Sequence, residues 1–249
     1  MTLYNDFTAV IPAAGKGSRF DKNKNKLLYK IRGKTIFENV LDKIKSFSNN
    51  IVIIVSKDNL YEIKNIASYK KYKQIKFVLV LQKNPNGMGH AINLAMPKVK
   101  TKNFFLIWAD QLGISTQTIK KSIKAFISRS NHCIVFPTVK KSKPYTLVIR
   151  NKSGLVNKVL QSREESLEKK FGETDCGFFV CNTYIVKSFL KNLINKKLII
   201  TKKTKEYDFL RSFKYISKKN LISTVPAKFS FESKGINTKK DLEYLLKKI

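Results

Sequence analysis

The chain has 249 residues, 43% of them hydrophobic, and no apolar run approaches the roughly 18 residues that a membrane-crossing helix needs. That length supports a substantial core within one domain, and the composition excludes a membrane span. The formal charge of +33 comes overwhelmingly from lysine spread from Lys16 to Lys248, while the arginines are only Arg19, Arg32, Arg129, Arg150, Arg163 and Arg211. Base recognition favours arginine, so this pattern argues against a nucleic-acid partner and leaves a general attraction for anionic substrates.

In chain order, Thr8 to Pro12 reads as a first strand. It follows Asp6 and runs into a glycine-rich turn instead of a small-residue cleavage site, so the apolar stretch from Phe7 to Ala14 is not read as a signal peptide. Ile36, Val40, Leu41 and Ile44 have helical spacing, Ile51 to Val55 and Phe77 to Leu81 are strands, Ala91, Leu94 and Ala95 mark a helix, and Phe104 to Trp108 is a fourth strand. Strand alternating with helix predicts an α/β fold of three layers around a mostly parallel sheet. A helix over Ile119 to Ile127 and a strand over Cys133 to Val139 follow. Thr146 to Arg150 and Val156 to Leu160 then form a hairpin-like pair across Asn151-Lys152-Ser153-Gly154, the start of a small β-rich substrate lobe. Phe178 to Cys181 is a strand, Ile185 to Leu193 a helix, Leu221 to Pro226 a late strand, and Thr238 to Leu246 a closing helix capped by Asn237 or Thr238. The Lys-rich stretch Lys202 to Lys205 is the longest candidate linker. Cys133, Cys176 and Cys181 are odd in number and lack zinc or disulfide spacing, which fits a reducing cytosol and predicts a cytoplasmic protein.

The chemistry concentrates at the ends of the predicted strands. The first strand ends in Ala13-Ala14-Gly15-Lys16-Gly17-Ser18-Arg19, where glycines let backbone amides approach phosphate oxygens and Lys16 and Arg19 supply charge. The segment matches neither the P-loop nor the dinucleotide fingerprint. Lys26 follows. Gln82 closes the third strand and precedes Asn86-Gly87-Met88-Gly89-His90-Ala91, a loop whose amides could read a base edge, with His90 also readable as a packing or capping residue. Asp110 stands at the C-terminal end of the fourth strand, where open α/β sheets place their ligand crevice, and a carboxylate there suits Mg²⁺.

This order of motifs resembles the sugar-phosphate nucleotidyltransferases, the MobA-like NTP transferases, and among them most the N-terminal domain of the N-acetylglucosamine-1-phosphate uridyltransferases. The resemblance covers nearly the whole chain and implies one Rossmann-like (GT-A-like) domain over 1–249, with a nucleotide-binding half at 1–112 and an acceptor-binding half at 113–249. It extends to Glu173-Thr174-Asp175-Cys176-Gly177 with Asn182, similar to the family's sugar-binding strand, and to Gly235-Ile236-Asn237, similar to the segment bearing a second metal ligand. It implies metal-dependent transfer from a nucleoside triphosphate, UTP favoured, to a sugar 1-phosphate with release of pyrophosphate. Asp110 and Asn237 would hold Mg²⁺, Arg19 the departing phosphates and Lys26 the reacting ones. Gln82 and Gly87 would read the base, with Tyr145, Glu173 and Asn182 on the sugar. Arg163 and Glu164 lie where the family has a Lys-Asp pair near the sugar.

Three departures bear on the acceptor. Asn25 replaces a proline, Ala109-Asp110-Gln111-Leu112 replaces Gly-Asp-x-Pro, and Pro144-Tyr145-Thr146-Leu147 replaces a Gly-Tyr-Gly-Arg segment that helps hold the acetylated sugar. The sequence contains no hexapeptide-repeat acetyltransferase half, so the expected activity is nucleotidyl transfer alone. The alternatives are transfer to phosphocholine, an alditol phosphate or a molybdenum cofactor on the same fold, or a nucleotide- or nucleic-acid-binding protein without turnover.

Overall fold

A computed structural model describes residues 6–15, 17, 19–21, 25–165 and 171–249. Lys16 and Ser18 of the expected phosphate loop lie outside the described residues. The first strand, β1 (Phe7–Pro12), is buried throughout. After a single 3-10 turn at Lys26–Leu28, a two-residue pair, β2 (Lys30–Ile31) and β3 (Lys34–Thr35), leads into α1 (Ile36–Ile44). There Thr35 and Glu38 form a reciprocal cap, with Glu38 N donating to Thr35 Oγ1 at 3.1 Å and Thr35 N to Glu38 Oε2 at 2.9 Å. Next come β4 (Asn50–Val55), α2 (Leu60–Ala67), β5 (Lys76–Leu81), α3 (Met88–Ala95), β6 (Asn103–Ile107) and α4 (Thr116–Ser128). The second half holds β7 (His132–Ser142), β8 (Thr146–Arg150), β9 (Val156–Gln161), β10 (Phe171–Asp175), β11 (Phe178–Asn182), α5 (Thr183–Asn195), α6 (Phe213–Ile216), β12 (Leu221–Pro226) and α7 (Lys239–Leu246).

The parallel strands run in the order β5-β4-β1-β6, so the chain adds two strands on one side of β1 and then returns to its other side. That reversal opens a crevice at the C-terminal ends of β1 and β6. Beyond β6 the sheet continues through antiparallel β11 to β7 and then parallel β12. β10 and β11 lie end to end along one side of β7, with Cys176 and Gly177 between them. Side chains alternate across the sheet as a pleated strand requires. Ile11 packs with Phe37 and Leu41 of α1, Ile123 of α4 and Leu245 of α7, whereas Val10 packs with Ile92 of α3 and Leu190 of α5. Helices therefore cover both faces, as the alternating sequence pattern predicts. No helix of the described residues is long and apolar enough to cross a membrane.

The short elements β2, β3 and α6 have no counterpart in the sequence reading, and two further segments depart from it. Helix α2 was not expected, because Ile63 and Ile66 are its only fully buried side chains and so narrow a stripe carries little periodic signal. The Lys-rich stretch 202–205 is a closed turn, with Thr201 N donating to Glu206 O at 2.9 Å and Thr201 Oγ1 meeting Thr204 Oγ1 at 2.8 Å. The Asn151 to Gly154 turn forms as its residues demand: the Asn151 side chain accepts from Ser153 N and Leu155 N, both at 3.0 Å, and Gly154 sits at φ 78°.

One buried carboxylate fixes the late segment that returns to the crevice. Glu232 is fully buried and accepts from Ser115 N at 3.2 Å, Ser115 Oγ and Thr118 Oγ1 at 3.0 Å, and Phe229 N at 3.1 Å, joining the segment before α7 to the start of α4. Glu232→Ala would strand these donors and lower stability in urea denaturation by roughly 2–4 kcal/mol, whereas Glu243→Ala on the exposed face of α7 should change it by less than about 0.5 kcal/mol.

Candidate active site

A cavity of about 720 Å³ opens at the crevice between β1 and β6. Ala13, Ala14, Gly15, Gly17, Arg19 and Lys26 form one rim, Gln82 and Gly87 a second, and Asp110, Tyr145 and Asn237 line the same space. At its centre the Lys26 ammonium contacts the Asp110 carboxylate and donates to Ile236 O at 2.7 Å. Arg19 donates to Asn237 Oδ1 at 2.9 Å. Gly17 adopts φ 67°, and a Cβ on it would come within 2.9 Å of Lys26 Cγ, so this turn needs glycine for both dihedral and space. Thr238 caps α7, its hydroxyl accepting from Asp241 N at 3.2 Å, while Asp241 holds the Asn237 backbone amide at 3.0 Å. The Asn237 side chain is therefore free of capping and faces Arg19.

Two side-chain oxygens, from Asp110 and Asn237, thus sit in one pocket beside the Ile236 carbonyl, and two cations hold them. Hard oxygen donors of this kind fit Mg²⁺, which takes few protein ligands and completes its shell with water and phosphate. No cluster of three His, Cys, Asp or Glu side chains placed to hold a metal occurs among the described residues. Lys43, pushed down to about 8 by burial, donates to the carbonyls of Leu112 and, at 3.0 Å, Ile114, fixing the turn that follows Asp110.

At the second rim, Gln82 Nε2 donates to Gly87 O at 3.2 Å and to His90 Nδ1 at 3.0 Å. A carbonyl can only accept, so the amide nitrogen must face Gly87 and the Gln82 oxygen turns elsewhere. His90 lies behind Gln82, outside the cavity lining, and burial lowers its pKa, in keeping with a neutral ring that accepts at Nδ1. Gly87 at φ 94° and Gly89 let a later segment dock: Tyr207 N donates to Asn86 O at 2.8 Å and Gly89 N to Tyr207 O at 2.7 Å. A Cβ on Gly87 would lie 2.7 Å from Tyr207 O.

Glu173 and Asn182 do not reach this cavity. Glu173 is opposite Lys140 on β7, bound by Arg150 at 2.6 Å and 2.9 Å and by Thr138 Oγ1 at 2.6 Å, and it faces a separate hollow. Asn182 pairs with Asn103 at the far end of the sheet and caps α5, accepting from Ile185 N at 3.0 Å. Glu164 is likewise structural, accepting from Lys203 N and Thr204 Oγ1.

The cavity takes other residues to which the sequence reading gave no site role, although Asp175 and Gly177 lie in the segment that resembles the family's sugar-binding strand. Asp175 lines it, held by Thr146 Oγ1 and by Gly177 N at 2.8 Å, in a turn where the β10–β11 line breaks. Gly177, at φ 66°, stands where a Cβ would lie 2.5 Å from the Trp108 ring. Trp108, Gln161, Tyr207, Asp208, Lys141 and Lys234 also line it, with Lys234 paired to Asp241 at 2.6 Å. Burial and the neighbouring Lys234 lower the pKa of Lys141. The one available signal was the Asp175-Cys176-Gly177 triplet, whose Asp two residues before Gly is turn chemistry inside an apolar strand.

The cavity thus stands at the switch point of a three-layer α/β sheet, with a glycine turn after β1 and a centre of two cations and two side-chain oxygens. The MobA-like NTP transferase domain matches residues 9–174, and the chain belongs to that family of nucleotidyltransferases. It is 31% identical over 250 residues to the bifunctional protein GlmU of Buchnera aphidicola subsp. Schizaphis graminum, a match spanning 98% of this chain and 51% of that protein. The chain thus spans about half the length of the curated relatives it matches. Its fold is that of the inositol-1-phosphate CTP transferase from T. maritima (TM-score 0.73, 16% identity, 99% of this chain and 97% of the other). It is also that of a UDP-glucose pyrophosphorylase complexed with UDP-glucose (TM-score 0.69, 17% identity, 97% and 99%).

Burial pushes Asp208 up to about 6, although Leu210 N donates to it at 2.9 Å. Below about pH 4 both folded and unfolded chains hold this proton; between about 4 and 6 only the folded chain does, so the stability cost of the charge grows with pH and is complete above about 6. Asp208→Asn should accordingly raise stability by roughly 1–3 kcal/mol in urea at about pH 7.5 and by close to nothing at about pH 4.

Proposed function

We propose that the chain transfers a nucleotidyl group from a nucleoside triphosphate, with UTP favoured, to the phosphate of a sugar 1-phosphate, releasing pyrophosphate. The observation that carries this reading is the convergence of Arg19, Lys26, Asp110 and Asn237 at the sheet's switch point, beside the glycine turn after β1. Both reactants are anions, so the task is to hold them together and neutralise charge. An acceptor phosphate oxygen attacks the α-phosphorus in line and the bond to the β-phosphate oxygen breaks. Gly15 and Gly17 offer backbone amides to the triphosphate, and Arg19 takes charge on the departing pyrophosphate. Lys26 swings from Asp110 toward the reacting phosphates, where its charge is worth most as negative charge builds. Lys141 and Lys234 steady the acceptor phosphate. Asp110 and Asn237 would hold Mg²⁺, which supplies Lewis-acid neutralisation of the phosphates when bound.

Uracil is favoured because the Gln82 oxygen is the group left to meet the base, and an acceptor there suits the uracil N3–H while facing like polarity at cytosine N3. His90 acts as a positioning residue through Gln82. Tyr145 stands at the acceptor end. Three buried, unbonded cysteines are in keeping with work in the reducing cytosol.

Pyrophosphate release should require Mg²⁺ and show one preferred pair when UTP, CTP, GTP, ATP and dTTP are screened against sugar and alcohol phosphates. Asp110→Asn and Lys26→Ala should each lower kcat by roughly 10²–10³-fold while calorimetry still detects triphosphate binding. Unchanged kcat in both variants would remove this centre from the chemistry.

A further inference from the structure

The turn that presents Asp110 has Leu112 where the Gly-Asp-x-Pro pattern has proline, so no fixed proline φ stiffens it. Gln111 N donates to Trp108 O at 3.0 Å and Leu112 N to Asp110 O at 2.9 Å, the second bond using an N–H that proline would lack. Such bonds shape the turn locally, and its placement in the cavity falls to a side chain. Gln111 is 2% exposed, and its carboxamide nitrogen donates to Cys176 O, 65 residues away in sequence, and to Glu232 O, 121 residues away. Both acceptors are carbonyls, so the amide nitrogen must face them and each of its hydrogens has a partner.

The two carbonyls belong to segments that build the cavity. Cys176 stands at the break between β10 and β11, beside Gly177, whose carbonyl accepts from Trp108 N at 3.1 Å, so both ends of the Asp110 turn are tied to the same break. Glu232 begins the stretch that runs to Ile236 and Asn237, with its carboxylate anchored on α4 and its carbonyl on Gln111. Two ties therefore join Asp110 to the segment bearing Asn237. The Lys26 ammonium contacts Asp110 and donates to Ile236 O at 2.7 Å, and in the proposed reaction it leaves Asp110 for the phosphates. The Gln111 amide is neutral and buried, so neither a phosphate nor a cation on Asp110 draws it away.

We propose that Gln111 is a positioning residue for nucleotidyl transfer: its amide keeps Asp110 and Asn237 at one separation once Lys26 has left, so that the pair can hold a divalent ion. Groups that orient metal ligands from behind change metal affinity or activity about ten- to a hundredfold when lost, since a small hard cation tolerates little error in ligand position. The proposal rests on the nucleotidyl-transfer reading with Asp110 and Asn237 as ligands, and adds to it a residue that acts through them.

The test is calorimetric titration of the whole chain with a non-hydrolysable UTP analogue, in Mg²⁺ and again in EDTA, run alongside pyrophosphate release with UTP. The native chain should bind the analogue about tenfold or more tighter with Mg²⁺ than without it. Gln111→Met, of similar length but with no N–H, should lose most of that gain, keep its metal-free affinity within about threefold and lower kcat about ten- to a hundredfold. Gln111→Asn, which keeps the amide but falls one methylene short, is the second variant should the first not fold. Val186→Ala, on the buried face of α5 and away from the cavity lining, controls for lost stability and should keep the full Mg²⁺ gain. A Mg²⁺ gain that survives in the Gln111 variants, or that Val186→Ala loses to the same extent, overturns the proposal. A gain that depends on Gln111 in a chain releasing no pyrophosphate upholds the positioning role and counts against nucleotidyl transfer. Pyrophosphate release unchanged by Gln111→Met upholds transfer and overturns the positioning role, so the two readings fail separately.

Discussion

The Lys26 ammonium is the point at which the crevice is held together. It reaches the carboxylate at the end of β6, 84 residues away in sequence, and the carbonyl of Ile236, 210 residues away. Its own aliphatic chain packs against Gly17, so the turn after β1 joins the same cluster. Three distant segments converge on one cation only because the sheet reverses its strand order between β1 and β6, placing both strand ends beside each other. The third segment arrives because Glu232 anchors it to α4 immediately before it turns back toward the crevice.

Around that centre the two sides of the cavity are built by different means. The rim at Gln82 and Gly87 is made of backbone. Gly87 and Gly89 allow residues 207 and 86 to bond main chain to main chain, and Gln82 is oriented from behind by His90. Such a wall fixes geometry and suits a ligand whose shape is constant. The wall at the break in the sheet is made of side chains, where Asp175 turns through Gly177 and Thr146 supports it. Side chains can change without disturbing the strands, which is why acceptor selectivity can diverge on a fold that stays the same. Asp208 shows the accompanying cost, since burial raises its pKa in spite of the nearby Arg163 and Arg211 and a carboxylate so buried opposes folding.

Much of this was legible in the amino-acid order. The strands β1, β4, β5, β6 and β12, helices α1, α4 and α5, and the β8–β9 hairpin follow from alternation, from apolar runs of strand length and from turn residues, all local properties. Gly15, Gly17, Arg19, Gln82 and Asp110 follow the ends of β1, β5 and β6, where topology leaves little choice of location, whereas Lys26 in the 3-10 turn and Gly87 at the start of α3 could be picked out only from the order of motifs. Asn237 was ambiguous between a cap and a ligand; Thr238 takes the capping role, and the Asn237 side chain meets Arg19 instead. Helix α2, with so few buried side chains, carried too weak a pattern to register.

What sequence order could not determine was which carboxylates of the second half face the crevice. Glu173, Asp175 and Asn182 stand close together in the chain, yet β11 carries Asn182 to the opposite end of the sheet and Arg150 draws Glu173 to another face, leaving Asp175 inside. Asp208 arrives from a lysine-rich loop with no pattern of its own and is held there by main-chain bonds to Ile199 and, through Tyr207, to Asn86. Local composition fixes whether a segment is strand, helix or turn, because those preferences act between near neighbours. The direction in which a polar side chain points after a strand breaks depends on long-range partners such as Pro137, Thr146 and Trp108, and only the folded chain brings these together.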